Sequence, residues 1–306
     1  MRGSYLGQRA LHSLVALIGL VFLVFFLARL TGDPTNLYLP LDASLDTREE
    51  FAIKHGFRDP LSEQFGRFLA DIARFDMGDS LRKQRPALEV VLEAYPTTLS
   101  LALVAMVLAI STALIVGSLA AYKPRGLFDR VSSTISLAGA SAPDFWVAIV
   151  AILLFAVSLG WLPTSGTGDI WHWIMPIGVL MLRPVGLLTQ VVRGAMLNAL
   201  ASPYVKTARA KGVRERSVIF VHALRNAMLP VITVAGDLAT GLINGAVIVE
   251  TVFGWPGVGK LMIDAVVQRD FAVVQAAVLV TALAIFALNV LIDIAYAALD
   301  PRVRLQ

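Results

Sequence analysis

Gly254-Trp255-Pro256-Gly257-Val258-Gly259-Lys260-Leu261 comes within one residue of the phosphate-cradling pattern G-x-x-x-x-G-K-[ST]. Such a loop needs a final hydroxyl to reach magnesium and a helix N-terminus to hold the phosphates. Leu261 carries no hydroxyl, so nucleotide chemistry is not expected there. Trp255 and Pro256 are expected instead to shape a tight surface or re-entrant turn. The four histidines, His12, His55, His172 and His222, are scattered without metal-ligand spacing. The sequence has no cysteine, which removes disulfides and thiolate sites. No Ser-His-Asp or paired-carboxylate arrangement is legible. We therefore expect no metal site and no catalytic centre in this chain.

Three other residues stand out by their surroundings. Asp144, Arg183 and Asp237 lie nearest the middle of three separate apolar runs. A charge at the centre of a bilayer costs at least about 2.5–3.5 kcal/mol, so each should face a partner or a water-filled cavity. One reading places all three on a translocation path, with Arg183 offsetting Asp144 or Asp237. The other makes them an internal structural ion pair. Asp293 and Asp300 are expected at the exit of the last run.

The elements that must position these residues are membrane spans. Of 306 residues 57% are hydrophobic and only 16% charged, and the mean hydropathy is +0.72. A soluble domain is nearer half apolar and a quarter charged. The excess falls in long blocks. The first is 10–28, too long for a signal-peptide core and without a small-residue cleavage site, so it reads as a retained span. Five more follow, about Thr97–Ala121, Ser133–Leu159, Ile174–Val192, Met228–Val249 and Ala272–Ala298, each able to cross the hydrocarbon layer. The expected architecture is an all-α membrane protein with six transmembrane helices. Its parts are an N-terminal span (1–28), an external loop with short helices (29–96) and a five-helix core (97–306).

A net charge of +4 and a pI near 9.5 would suit nucleic acid, but the position of the charge argues otherwise. Arg2, Arg9, Lys123, Arg125, Arg130, the stretch from Arg193 to Arg225, Arg302 and Arg304 fall on one set of short loops. The opposite short loops hold only Lys260 and Arg269. The long first loop counts weakly, so both termini are expected to be cytoplasmic. Trp161, Trp171 and Trp173 would mark the outer membrane interface, and Tyr122 the inner one.

The loop 193–226 carries seven positive residues against one negative. Pro203 can open a helix, where its missing N–H costs nothing, and Gly212 can close one in a left-handed conformation. A surface helix of two or three turns is predicted between them. A short rigid element joining two spans would make a lever for a partner. The plainer alternative is a solvated loop resting on anionic lipid headgroups.

Tyr204-Val205-Lys206-Thr207-Ala208-Arg209-Ala210-Lys211-Gly212, followed by His222-Ala223-Leu224-Arg225-Asn226-Ala227 and Leu229-Pro230, resembles the EAA loop of binding-protein-dependent ABC permeases. The match is with the branch importing dipeptides, oligopeptides, glutathione and nickel. Gly32-Asp33-Pro34, Asp59-Pro60-Leu61 with Gln64, Gly78-Asp79-Ser80 and Gly160-Trp161-Leu162-Pro163 resemble that branch too. So do Glu250 to Gly259, Arg269-Asp270 and Leu299-Asp300-Pro301-Arg302. The sequence departs from the pattern where Pro203 replaces the usual acidic residue and where 206–208 read Lys-Thr-Ala rather than Glu-Ala-Ala. The resemblance implies an ABC type I importer permease in a bacterial inner membrane, non-catalytic itself. It implies a homologous second permease, two ATP-binding subunits that hold ATP and magnesium, and an extracytoplasmic solute-binding protein. The ATPase contact would lie at Tyr204, Thr207, Ala208, Ala210, Lys211 and Gly212. An ATP-independent secondary transporter or channel is the alternative, hinted at only by Asp144 beside Pro143. A membrane-embedded enzyme is disfavoured by the lack of clustered catalytic groups.

Overall fold

The computed structural model describes residues 15, 18–26, 44–54, 56–80 and 82–299. Arg2, Arg9, His12, His55, Gly32-Asp33-Pro34, Asp300-Pro301-Arg302, Arg304 and most of the first apolar run lie outside them. The described chain is helical, and its one β-bridge, Asp79 with Pro86, is isolated.

Two short helices, α1 (Leu45–Lys54) and α2 (Leu61–Ala73), precede the long α3 (Ala87–Tyr122). Next come α4 (Leu127–Ser141) and α5 (Asp144–Ala151), the latter continuing as a π-helical segment, Ile152–Ser158. Then follow α6 (Ile170–Leu200), α7 (Pro203–Ala210), one turn of α8 (Glu215–Ser217) and a second π-helical segment, Val218–Ala223. The last described elements are α9 (Leu224–Phe253), α10 (Val258–Val267) and α11 (Phe271–Leu299).

Among the described residues, four helical stretches are long and apolar enough to cross a membrane, at Ala87–Tyr122, Ile170–Leu200, Glu215–Phe253 and Phe271–Ile292. The third apolar run differs from expectation. It is two helices, α4 and α5 with its π extension, bent by 106°. The cause is local. Ala142 is extended (φ −71, ψ 133), and so is Pro143 (φ −67, ψ 131). A proline ring pushes the preceding residue out of helical geometry. α6 also outruns its expected bounds at both ends, because helical hydrogen bonding continues past the hydrocarbon-sized segment.

The chain divides into two compact units, Met1–Pro96 with Lys260–Ala287, and Thr97–Gly259 with Leu288–Gln306. In the first, Phe25 is fully buried against the rings of Phe65 and Phe68, with centroids 5.1 and 5.4 Å away. The Gln64 amide donates to the carbonyls of Phe57 (3.0 Å) and Asp59 (2.9 Å), closing the turn ahead of α2. Arg67 pairs with Asp59 at 2.6 Å. The Ser80 hydroxyl donates to buried Asp270 at 2.5 Å, so two motifs far apart in sequence meet.

In the second unit α6 is central, packed mainly on α9 and on α4, while α5 packs on α9. Trp173 takes part in the packing of this unit. Its ring meets buried Trp255 edge to face at 4.7 Å. Trp161 and Trp171 remain exposed.

Candidate coupling helix and intramembrane charges

α7 forms between the two residues that predict it. Pro203 occupies its first turn and Gly212 takes a left-handed φ of 75° just beyond its end. The Val213 N–H donates to the Ala208 carbonyl (3.2 Å) and the Gly212 N–H to that of Arg209 (2.9 Å). This double return is the Schellman closure, and it satisfies carbonyls that the helix end would leave bare.

One face of α7 is buried and the other free. Val205 has no exposure, and it joins Val218, Ile219 and Ala223 in one apolar cluster, with Ala208 and Val213 packed against it. Tyr204, Thr207, Ala210 and Lys211, spaced along one stripe, face out, as does Gly212. Ala208 is half-buried and belongs to the seam rather than the open face. Arg209 grips Glu215 across the turn, its Nη2 donating to Oε1 at 2.6 Å and its Nε to Oε2 at 3.3 Å. That hydrogen bond holds the Arg209 guanidinium above its ordinary value, but the pair is well exposed and stabilises little. The helix is thus seated by apolar contact and presents a mixed polar and basic stripe.

The intramembrane charges are distributed less simply. Asp144 opens α5 directly after the elbow. Its Oδ2 lies 3.8 Å from where a Cβ on Gly245 of α9 would stand, beside Leu180 of α6. Arg183 is one turn along α6 from Leu180, within electrostatic reach of Asp144. No ion pair joins Arg183 to Asp144 or Asp237 among the described residues. Asp144 is half-buried, and Arg183 and Asp237 are exposed on this chain. Asp237 sits on α9 some 8 residues before Gly245, about 12 Å along the helix. The structure therefore brings Asp144 and Arg183 within electrostatic reach of each other, while Asp237 lies further along α9 from the Gly245 contact.

The glycine loop after α9 encloses a carboxylate of the chain itself. Glu250 is fully buried. It accepts the Gly259 N–H at 2.7 Å and the Thr98 hydroxyl at 2.6 Å, while Thr98 Oγ1 accepts the Val258 N–H at 2.8 Å. A Cβ on Gly257 would stand 2.1 Å from Glu250 Oε1. Glycine spacing that resembles a phosphate cradle is here a cradle for Glu250, whose role was not evident from the sequence. At the start of α6, Asp169 caps the helix by accepting the Trp171 N–H. Its hydrogen bond with His172 holds the Asp169 carboxyl below the ordinary carboxylate range.

A bundle of membrane-length helices with a capped basic helix between two of them defines a multi-pass membrane protein. Residues 113–305 match the family of binding-protein-dependent transport system inner membrane components, and the chain belongs to that family. It is 37% identical to the oligopeptide transport system permease protein AppB of Bacillus subtilis, over 98% of this chain and 99% of that one. It is 36% identical to the di/tripeptide transport system permease protein DppB of Pseudomonas aeruginosa, over 99% of both. It is 35% identical to the glutathione transport system permease protein GsiC of Pectobacterium atrosepticum, over 98% and 99%. Among solved structures, a chain of the inward-facing MetNI methionine ABC transporter shares the fold, with a TM-score of 0.58 at 16% identity. That likeness covers 69% of this chain and 96% of that one.

Proposed function

We propose that this chain is one permease half of an ATP-driven importer of short peptides or glutathione in a bacterial inner membrane. A homologous second permease would complete the path. Two ATP-binding subunits would dock on α7 from the cytoplasm, and a solute-binding protein would dock on the outer face. The chain would have six spans, with both termini cytoplasmic, and would hydrolyse nothing itself. The observation that carries this reading is α7: a rigid helix, seated on one face and open on the other, in the connection between two membrane-length helices. Tyr204, Thr207, Ala210, Lys211 and Gly212 would meet the ATPase, and Ala208 would hold the seam beneath them. ATP binding and hydrolysis would then shift the population between two arrangements, through the ATPases' differential affinity for them.

Asp144 and Arg183 would line the path. Arg183 is exposed and Asp144 half-buried on this chain, with no ion pair between them among the described residues, which favours that role over an internal structural bridge. Asp237 would lie on the same path at another depth. The substrate class follows the relatives named above.

Uptake of labelled tripeptide or glutathione into vesicles containing the whole assembly tests the reading. Uptake should require ATP, and alanine-to-tryptophan substitution at Ala208 should release the ATPase subunits on purification. Uptake driven by an ion gradient alone would favour the secondary-transporter reading, for which the broken helix at Pro143–Asp144 is the specific observation.

A further inference from the structure

Only Ala201 and the extended Ser202 (φ −71, ψ 155) separate α6 from α7, and both bond back to α6: Ala201 N–H to Leu197 O and Ser202 N–H to Ala199 O, both 3.2 Å. The Ser202 hydroxyl also donates to Ala199 O at 2.5 Å. The link between α7 and the end of α6 is therefore short and tied back to α6.

Near that end, Arg193 forks onto Asp129 in the first turn of α4. Its Nη2 donates to Oδ2 at 2.8 Å, and its Nε donates to Oδ1. The Asp129 side chain is only 4% exposed, and Arg193 26%. Oδ2 also accepts the Arg125 N–H at 2.7 Å, so the α3–α4 turn is fastened to the same point. A forked pair with its carboxylate buried resists sliding, because separating it strands a buried charge.

Above the pair the two helices touch at the backbone. A Cβ on Gly186 of α6 would stand 2.3 Å from the Ser136 carbonyl of α4 and 2.9 Å from the Ala140 nitrogen. Gly139 of α4 is as closely fitted to Leu182, its Cβ position lying 3.1 Å from Leu182 Cγ. Immediately past α4 comes the 106° elbow, and the first residue beyond it is Asp144.

We propose that Asp129 and Arg193 are positioning residues for energy coupling. By locking α4 to α6 they make one lever, which carries movement of α7 to the elbow and so to Asp144. The sequence separates these groups and assigns none of them this role. The inference rests on α7 being the ATPase contact, and adds how the motion leaves it.

The test uses the assembled importer in liposomes, with labelled trialanine and labelled glutathione as probes. Asp129→Asn and Arg193→Gln should keep the ATPase subunits bound and hydrolysing ATP, while solute imported per ATP falls about tenfold or more. The swapped pair, Asp129→Arg with Arg193→Asp, should recover much of that ratio. A merely structural pair would lower the amount of assembled complex and leave the ratio unchanged; that result overturns the proposal. Should the single variants not assemble, a disulfide decides. The natural chain has no cysteine, so Gly139→Cys with Leu182→Cys can be oxidised alone. If α4 and α6 move together, uptake survives oxidation; reversible loss on oxidation means they slide, and the lever is wrong. A wild-type assembly that neither binds the ATPases nor imports either probe would refute the coupling role of α7 instead.

Discussion

Glu250 illustrates what a single side chain can hold. Its side chain has no solvent exposure, and it accepts from Thr98 of α3 and from Gly259 in the first turn of α10. Thr98 serves twice, donating to Glu250 and accepting from Val258. Thr98→Val removes both bonds while keeping the shape. Leaving buried groups unpaired costs about 1–3 kcal/mol, so the detergent-solubilised protein should unfold at a lower temperature, whereas Thr98→Ser should not. Gly257→Ala should lower stability by about 1–3 kcal/mol through overpacking against the same carboxylate, read in the same melting experiment. The glycine spacing was legible in the sequence. The side chain it serves was not, because the loop pattern is shared by glycines that wrap a phosphate and glycines that wrap a glutamate.

α7 is the element whose start and stop could be read residue by residue, since proline and glycine act on their own backbone and need no distant partner. Gly212 at a φ of 75° is the sharpest case. A Cβ there meets open space, so the penalty on Gly212→Ala is conformational alone, about 1–2 kcal/mol for a left-handed residue. Gly212→Val should cost more, and should loosen the Schellman closure. Both should reduce ATPase retention in pull-downs in that order, with Gly212→Asn milder than either. The elbow between α4 and α5 shows the opposite case. Hydropathy sums over a window and is blind to direction, so two apolar helices at 106° read as one span. Pro143 was the only local sign, and many membrane helices carry proline without breaking.

At the scale of the whole molecule, the asymmetry of positive charge predicts sidedness. Because the natural chain lacks cysteine, a single cysteine at Thr207 can be labelled without background. An impermeant thiol reagent should reach it in inside-out vesicles and fail in intact spheroplasts; labelling from outside would remove any contact with a cytosolic ATPase. The sequence by itself determined that the chain enters a membrane, where its basic loops cluster and where α7 begins and ends. Those properties add along the chain or act within a few residues. Tertiary structure alone decided that Asp129 grips Arg193, that Thr98 holds Glu250 and that Ser80 meets Asp270, across 64, 152 and 190 positions of sequence. Hydrogen bonds are short and directional, so which donor reaches which carboxylate is settled only when the helices that carry them have packed.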